Sequence, residues 1–488
     1  MVLNLALFIP ELTLVVFAVL VILLDLGVRQ KTVLGLVSLV GLVIAGGVSV
    51  AMWGGSYPLI FSNMLAVDNF ALFFKLLFLG VAFLIILSSF DYVAKFASFQ
   101  GEYYALILLS TLGMMLMAAT TDLISIYVAL ELTSISLYVL VGFLKDRKST
   151  EASLKYLLLG AIASAVLLYG MALIFGFTGQ TQLGEIAKVI RGMSPQAFLD
   201  SPALLLGIVL LIAGFGFKIA AVPFQMWVPD VYEGAPTPVT AYLSVASKAA
   251  GFAVFLRVFF IAFGMPARLS QNWGMIFAVL AVISMIIGNV VAIPQTNIKR
   301  MLGYSSIAQA GYLMVGLATL GFASGTGILG QSGILFFLTS YAFTNLGAFT
   351  AIILISDKLD SDMIADYAGM GRRAPVLALG LTLCLISLIG MPPAAGFMAK
   401  FFIFSAAVKT HLLWLVVIAV INSVISAYYY LRVVKVMWFG EPAAGDKVIS
   451  TAGPRLALLL CCMVVLVLGI IPGLGMRLAE LATKMFAF

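Results

Sequence analysis

Apolar residues run along this chain in long stretches separated by short polar breaks. A membrane-crossing helix needs ~20 apolar residues. About fourteen stretches reach spanning length, with approximate limits 3–25, 33–53, 69–90, 103–120, 122–144, 153–177, 203–227, 238–263, 273–293, 300–321, 330–356, 375–408, 411–438 and 455–475. The pattern predicts an all-α integral membrane protein. Pro223 and Pro229 lie around the end of span seven, and Pro392, Pro393 and Gly396 fall inside span twelve. Broken helices are expected at both places, with a hydrated cavity at each, because freed backbone groups need water or polar partners. The segment from Gly184 to Gly192 is short and amphipathic, and is expected to lie on the outer surface.

A weak internal repeat emerges when the chain is shifted by about 175 residues. Spans four to eight then fall on spans nine to thirteen. Thr121-Asp122-Leu123 meets Thr296-Asn297-Ile298, and Leu256-Arg257-Val258 meets Leu431-Arg432-Val433. A unit of five spans is odd, so the two copies are expected to lie inverted in the membrane. The organisation read from this is an N-terminal three-span segment at 1–100, a first five-span unit at 101–265, a second, inverted unit at 266–440, and a final span with a short tail at 441–488.

Positive charge sets the orientation. With both termini outside, the inner loops and helix ends carry Arg29, Lys31, Lys95, Lys145, Arg147, Lys148, Lys155, Lys299, Arg300, Lys358, Arg372, Arg373, Arg432, Lys435, Lys447 and Arg455. The outer side holds only Lys188, Arg191, Arg268, Lys409, Arg477 and Lys484. The first stretch lacks a charged leader and a small-residue cleavage site, and reads as a retained span.

Composition narrows the function classes. The 488 residues are 63% hydrophobic and 10% charged, too apolar for a soluble core. The net charge of +7 is scattered singly between spans, which reflects topology and excludes a nucleic-acid surface. Cys384, Cys461, Cys462 and the single His411 form no CxxC and are too few to ligate iron–sulfur clusters, haem or zinc, so no redox centre or metal is expected in this chain. Gly-rich phosphate loops, nucleophile elbows and nucleotide fingerprints are absent.

What the apolar stretches do contain is buried charge. Lys218 in span seven, Lys248 in span eight and Lys400 in span twelve are ionisable groups where a charge costs about 3 kcal/mol, and such residues point to function. Snorkelling to a membrane surface is the simpler reading of a lysine, but Lys218 is followed by further apolar sequence before Pro229. Glu131 lies mid-span in DLISIYVALELTSISLYVL. It serves either as a buried partner that holds Lys218 or as a group whose approach and withdrawal switch Lys218 between holding and releasing a proton, and the two are compatible. Three lysines over two inverted units suggest a lateral row of protonatable groups.

Ser244, Ser247, Tyr304, Ser305, Ser306, Gln309, Tyr312, Tyr341, Thr344 and Asn345 could anchor connecting waters or act as ordinary interhelical hydrogen-bonders. Asp230 and Glu233, in the inner loop after span seven, read either as proton collectors or as a solvated loop. Lys75 and Arg257 are embedded without an assigned role, and Glu11, after Pro10 in span one, reads either as pairing locally or as facing another subunit.

The stretches PFQMWVPDVYEGAPTPVTAYLSVASKAAG at 223–251, ALELTSISLYVL around Glu131, NIKRMLGYSSIAQAGY at 297–312 and GMPPAAGFMAKFFIF at 390–404 resemble the antiporter-like membrane subunits of respiratory complex I, over essentially the whole chain. The resemblance implies a subunit of an H+-translocating NADH:quinone oxidoreductase, with Glu131, Lys218, Lys248 and Lys400 matching the family's proton-transfer residues on a hydrated axis. It also implies that NAD(H), FMN, iron–sulfur clusters and quinone belong to partner subunits, membrane and peripheral, and it favours a bacterial cell (inner) membrane. One position departs: many members of the family carry histidine in the PFH-W segment, and here that residue is Gln225. Glutamine does not titrate, which puts any relay step there in doubt. A cation/proton antiporter subunit of the same superfamily is the alternative, and a purely structural scaffold is a further one.

Overall fold

The structure is a computed structural model that describes residues 5–96, 99–194, 201–264, 267–322, 328–441 and 452–484. Lys447, the 265/266 boundary and most of the segment before the final span lie outside the described residues. The chain is a multi-pass membrane protein. Its N-terminal helices are α1 (Ile9–Asp25), α2 (Thr32–Ala51) and α3 (Asn69–Ser89). The first unit holds α4 (Gln100–Ala119), α5 (Leu123–Val141), α6 (Arg147–Thr178), the surface helix α7 (Leu183–Arg191), α8 (Pro202–Ile219), α9 (Val228–Gly234), α10 (Thr237–Tyr242) and α11 (Lys248–Ile261). The second holds α12 (Ala267–Ala292), α13 (Ile298–Phe322), α14 (Ile328–Leu359), α15 (Pro375–Ile389), α16 (Ala395–Lys409) and α17 (Leu413–Phe439). After α18 (Ala452–Ile470) the tail forms one more helix, α19 (Pro472–Thr483), which packs on α14 and α3.

Thirteen described helices are long and apolar enough to cross a membrane, and the expected twelfth span is divided into α15 and α16. The least apolar spans are the most enclosed: Thr237–Ile261, Ile298–Phe322 and Leu329–Leu359 are 89%, 94% and 89% buried, whereas the more apolar outer helices such as α1, α6 and α18 are 33% buried. Lipid therefore meets hydrocarbon, and polar side chains face one another inside.

Local chemistry sets the helix ends. Asp68, Asp122 and Asp146 cap α3, α5 and α6 by accepting from the backbone N–H groups of Ala71, Ile124 and Ser149. Close approach inside the second unit depends on glycine: a Cβ on Gly288 of α12 would lie 2.5 Å from the backbone nitrogen of Ala308 on α13. α7 buries Leu183, Ile186, Ala187 and Ile190 and turns Lys188 and Glu185 outward, as the amphipathic pattern predicts.

The repeat is visible in backbone bonding at the residues whose sequences match. Leu123 N donates to Thr181 O and Leu183 N to Thr121 O, both at 2.9 Å, and Ile298 N donates to Asp362 O and Ile364 N to Thr296 O at the same 2.9 Å. Arg257 Nε donates to Ala118 O at 2.9 Å, and its counterpart Arg432 donates from Nη1 to Ile293 O at 2.7 Å. Each arginine thus ties the C-terminal end of the first helix in its unit to the last. Both broken helices also end alike, in the left-handed residues Ala220 (φ 63°) and Gly390 (φ 89°), each followed by a cis X-Pro bond, Val222-Pro223 and Pro392-Pro393.

Candidate functional site

The helix breaks place two of the lysines. Lys218 lies in the last turn of α8, before its break, and Lys400 in α16, after its own. The C-terminal end of a helix offers free carbonyls and the negative end of its dipole, which favour a cation by about 0.3–2 kcal/mol. Lys400 uses this directly. Its Nζ reaches back across the break to Ile389 O at 2.8 Å and Leu388 O at 3.3 Å, donates to Ser423 Oγ at 2.8 Å, and sits 4.3 Å from the centre of the Tyr312 ring.

Lys218 Nζ donates to Ser134 Oγ at 2.9 Å. Ser134 stands one turn beyond Glu131 on α5, and Glu131 accepts a hydrogen bond from Ser164 of α6. The expected Glu131–Lys218 contact is therefore not closed in this conformation. The carboxylate turns to α6 while the lysine takes a serine, and a small cavity bordered by Ser134, Tyr138, Ser164 and Lys218 lies beside them.

Lys248 opens α11 directly after a π-helical turn, Leu243–Ser247. Such turns recur at functional sites because they re-aim the next side chain. Its Nζ donates to the main-chain oxygen of Ser306 on α13 and to Ser306 Oγ at 2.6 Å, below the Tyr341 ring at 5.4 Å. Among the described residues, Lys218, Lys248 and Lys400 are all buried and make no ion pair; neutral dipoles hold each one.

These sites lie side by side. Lys218 and Lys248 lie on helices that meet at Gly251, where an added Cβ would be 3.6 Å from Lys218 Cβ. Tyr341 donates to Ser306 Oγ at 3.0 Å, and a small cavity bordered by Tyr341, Gln309, Ser340, Thr344, Ser387 and Lys400 joins this point to the second break. Gln309 Nε2 donates to Leu388 O at 3.0 Å, Thr344 pairs with Ser387 at 3.0 Å, and Asn345 Nδ2 donates to Ser244 Oγ at 2.6 Å. Beside Lys400 an open, largely apolar groove of about 750 Å³ runs along α16 past Ser405 to Lys409. The other sequence candidates divide: Ser305 bonds Tyr430, Tyr312 accepts from Asn289, and Ser247 Oγ and Gln225 Oε1 are buried with no hydrogen-bond partner among the described residues.

The remaining embedded charges are paired. Lys75 and Glu11, each 1% exposed, meet at 2.6 Å, and Arg257 grips Asp68 through two bonds of 2.9 Å. Asp230 of α9 takes Lys155 at 2.8 Å and Arg300 at 2.7 Å, and Arg300 also bonds Glu233 at 3.0 Å. Burial raises the Asp230 carboxyl, but hydrogen bonds from Lys155 and Arg300 outweigh it and hold the group below the usual carboxylate range. Sequence reasoning passed over Ser134, Ser164 and Ser423. Two of them carried a signal: Ser134 is one helical turn from Glu131, and Ser423 is where Lys248 falls under the repeat shift. Among the described residues no cluster of His, Cys, Asp and Glu is placed to hold a metal ion.

The residues 120–426, which contain all four candidate groups, match the family described as NADH:quinone oxidoreductase/Mrp antiporter, transmembrane. The chain is 50% identical over 481 residues to the NADH-quinone oxidoreductase subunit N of Dehalococcoides mccartyi, covering 98% of this chain and 99% of that one. Its fold superposes on a chain of respiratory complex I from Thermus thermophilus with a TM-score of 0.80 and 32% identity, over 96% of this chain and 99% of that chain. It also superposes on a chain of the membrane-bound sulfane sulfur reductase, an archaeal respiratory membrane complex, with a TM-score of 0.87 and 27% identity over 99% and 97% of the two chains. With buried, dipole-held lysines at both helix breaks and similarity along its whole length, the chain belongs to the NADH:quinone oxidoreductase/Mrp antiporter family of transmembrane subunits.

Proposed function

We propose that this chain is the proton-translocating, antiporter-like membrane subunit of an NADH–quinone oxidoreductase, as its similarity to the NADH-quinone oxidoreductase subunit N of Dehalococcoides mccartyi supports. Protons enter from the cytoplasmic side at Lys218, pass laterally through Lys248, and leave to the outside from Lys400. Glu131 is the movable charge: closing on Lys218 it favours the ammonium, and turned to Ser164 it lets the proton go. Energy comes from quinone reduction in partner subunits, which also hold NAD(H), FMN and the iron–sulfur clusters. The membrane is the bacterial cell membrane, with both termini outside.

The observation that carries this reading is the set of three buried lysines that make no ion pair among the described residues, with hydroxyl and amide side chains lying between the second of them and the third at the second helix break. A scaffold needs no such set. The test is proton translocation by vesicles bearing the assembled complex with Lys218→Ala, alongside quinone-reductase activity and native-gel analysis. Pumping and coupled turnover fall together if Lys218 is in the path. Unchanged pumping in a fully assembled complex sinks the proposal. Sodium-dependent proton exchange by the chain without its redox partners would favour the antiporter alternative instead.

A further inference from the structure

One hydroxyl beside Lys248 makes more polar contacts than a packing role requires. Ser306 Oγ receives Lys248 Nζ at 2.6 Å and Tyr341 OH at 3.0 Å, and lies 3.1 Å from Tyr232 OH. A serine hydroxyl has two acceptor positions and one donor proton. Lys248 and Tyr341 fill the acceptors, so the serine proton goes to the Tyr232 oxygen. Tyr232 belongs to α9, the short helix whose Asp230 and Glu233 side chains are 32% and 31% exposed and bound to Arg300, while Tyr232 itself is 1% exposed. This single element reaches from the polar surface to within one hydroxyl of a buried lysine.

We propose that Tyr232 is a proton-relay residue that feeds Lys248 through Ser306 from the face carrying Asp230 and Glu233, a second inlet beside the one at Lys218. The proposal rests on the reading that Lys248 carries protons. When Lys248 is a neutral amine its lone pair faces Ser306, and the chain reverses. A hydronium ion from the aqueous side gives a proton to the Tyr232 oxygen, the tyrosine's own proton passes to Ser306, and the serine proton passes to the amine. One O–H bond forms as another breaks at each hydroxyl, Lys248 ends as an ammonium, water is released, and no electrons are exchanged.

The ring of Tyr232 is held independently of its hydroxyl. It packs 6.4 Å from Trp227, centre to centre, and against Gly303, where an added Cβ would lie 3.5 Å from it. Tyr232→Phe therefore removes the relay oxygen with little change in shape. The experiment is protons translocated per quinone reduced in vesicles carrying the assembled complex, for Tyr232→Phe, Ser306→Ala, Ser306→Thr and Lys248→Ala. Tyr232→Phe and Ser306→Ala are expected to lower the translocation rate and the ratio of protons to quinone, leaving only the share that enters at Lys218. Ser306→Thr, which keeps the hydroxyl, restores both.

A wild-type rate and ratio in assembled Tyr232→Phe overturns the relay. Where Tyr232→Phe fails to assemble, the serine pair decides: equal, wild-type pumping in Ser306→Ala and Ser306→Thr overturns it. Lys248→Ala separates the two levels. If it pumps normally, the underlying reading fails; if it is dead while Tyr232→Phe is normal, only the relay fails.

Discussion

Lys400 is bonded to the end of the helix that precedes its own, with Nζ 2.8 Å from the carbonyl oxygen of Ile389. Ser423 completes a triangle, 2.8 Å from the lysine and donating to the same carbonyl at 2.8 Å. Helix interiors have no free carbonyls, so this site exists only because Gly390 and the two prolines stop α15 inside the membrane. A cation is stabilised there without a carboxylate that would lock it.

The triangle predicts a graded response. Lys400→Met removes the buried amine at the break and is expected to abolish proton translocation in an assembled complex. Ser423→Ala leaves both carbonyls in place and removes one hydrogen bond to a charged group, worth about 1.5–3 kcal/mol, so it should slow pumping while leaving it measurable. Translocation rates in vesicles check the order. A Ser423→Ala complex as inactive as Lys400→Met would mean that the hydroxyl itself carries the proton.

The Lys75–Glu11 pair joins α3 to α1 with both side chains out of contact with solvent. Removing one partner of a buried pair leaves an uncompensated charge, at a cost of about 3–5 kcal/mol. Lys75→Met should therefore reduce the thermal stability and abundance of the complex, while the double change Lys75→Met with Glu11→Leu restores most of both. Native-gel quantification after a heating series reads this out. If the double variant pumped protons poorly despite normal abundance, the pair would belong to the proton path.

α12 and α13 approach so closely at Gly288 that any side chain there meets backbone. Gly288→Val is expected to cost about 1–3 kcal/mol through overpacking and to displace Ser306, which lies on the same helix as Ala308. Thermal unfolding of the complex and its pumping rate should fall together. Full stability with lost pumping would contradict the packing account.

Much of this is legible in the amino-acid sequence. Spans could be read because twenty apolar residues have one structural meaning, and the helix breaks because proline cannot continue a helix. Matching Arg257 with Arg432 and Asp122 with Asn297 across the repeat identified residues that bond corresponding backbone groups in both units. The direct partners of the lysines were harder to see. Serine is common in membrane helices, and nothing in its immediate sequence says whether it bonds its own backbone or a distant lysine. The Glu131–Lys218 contact was expected from shared depth, yet depth does not fix which neighbour a carboxylate turns to, and here Ser164 takes it. The π turn before Lys248 and the role of Tyr232 depend on how α9 and α13 pack, which no local pattern encodes.

The acidic residues of α9 bear on where protons are taken up. A carboxyl whose folded-state value is depressed contributes its stability above the unfolded value and loses it only as pH falls through the lowered one. For Asp230 that window lies below the ordinary value of 3.8, so its ion pairs with Lys155 and Arg300 stay intact across the physiological range. Asp230 then acts as a fixed clamp on α9, binding no proton near neutrality. Asp230→Asn is expected to weaken the clamp by about 0–1 kcal/mol for each partly exposed pair and to leave the shape of the pH–rate profile of pumping unchanged between about pH 5 and 9, since no carboxyl titration in that range is removed. The measurement is that profile in vesicles, wild type against variant. An acid-side limb present in the wild type and missing in Asp230→Asn would show that Asp230 collects protons after all, and that the clamp opens during turnover.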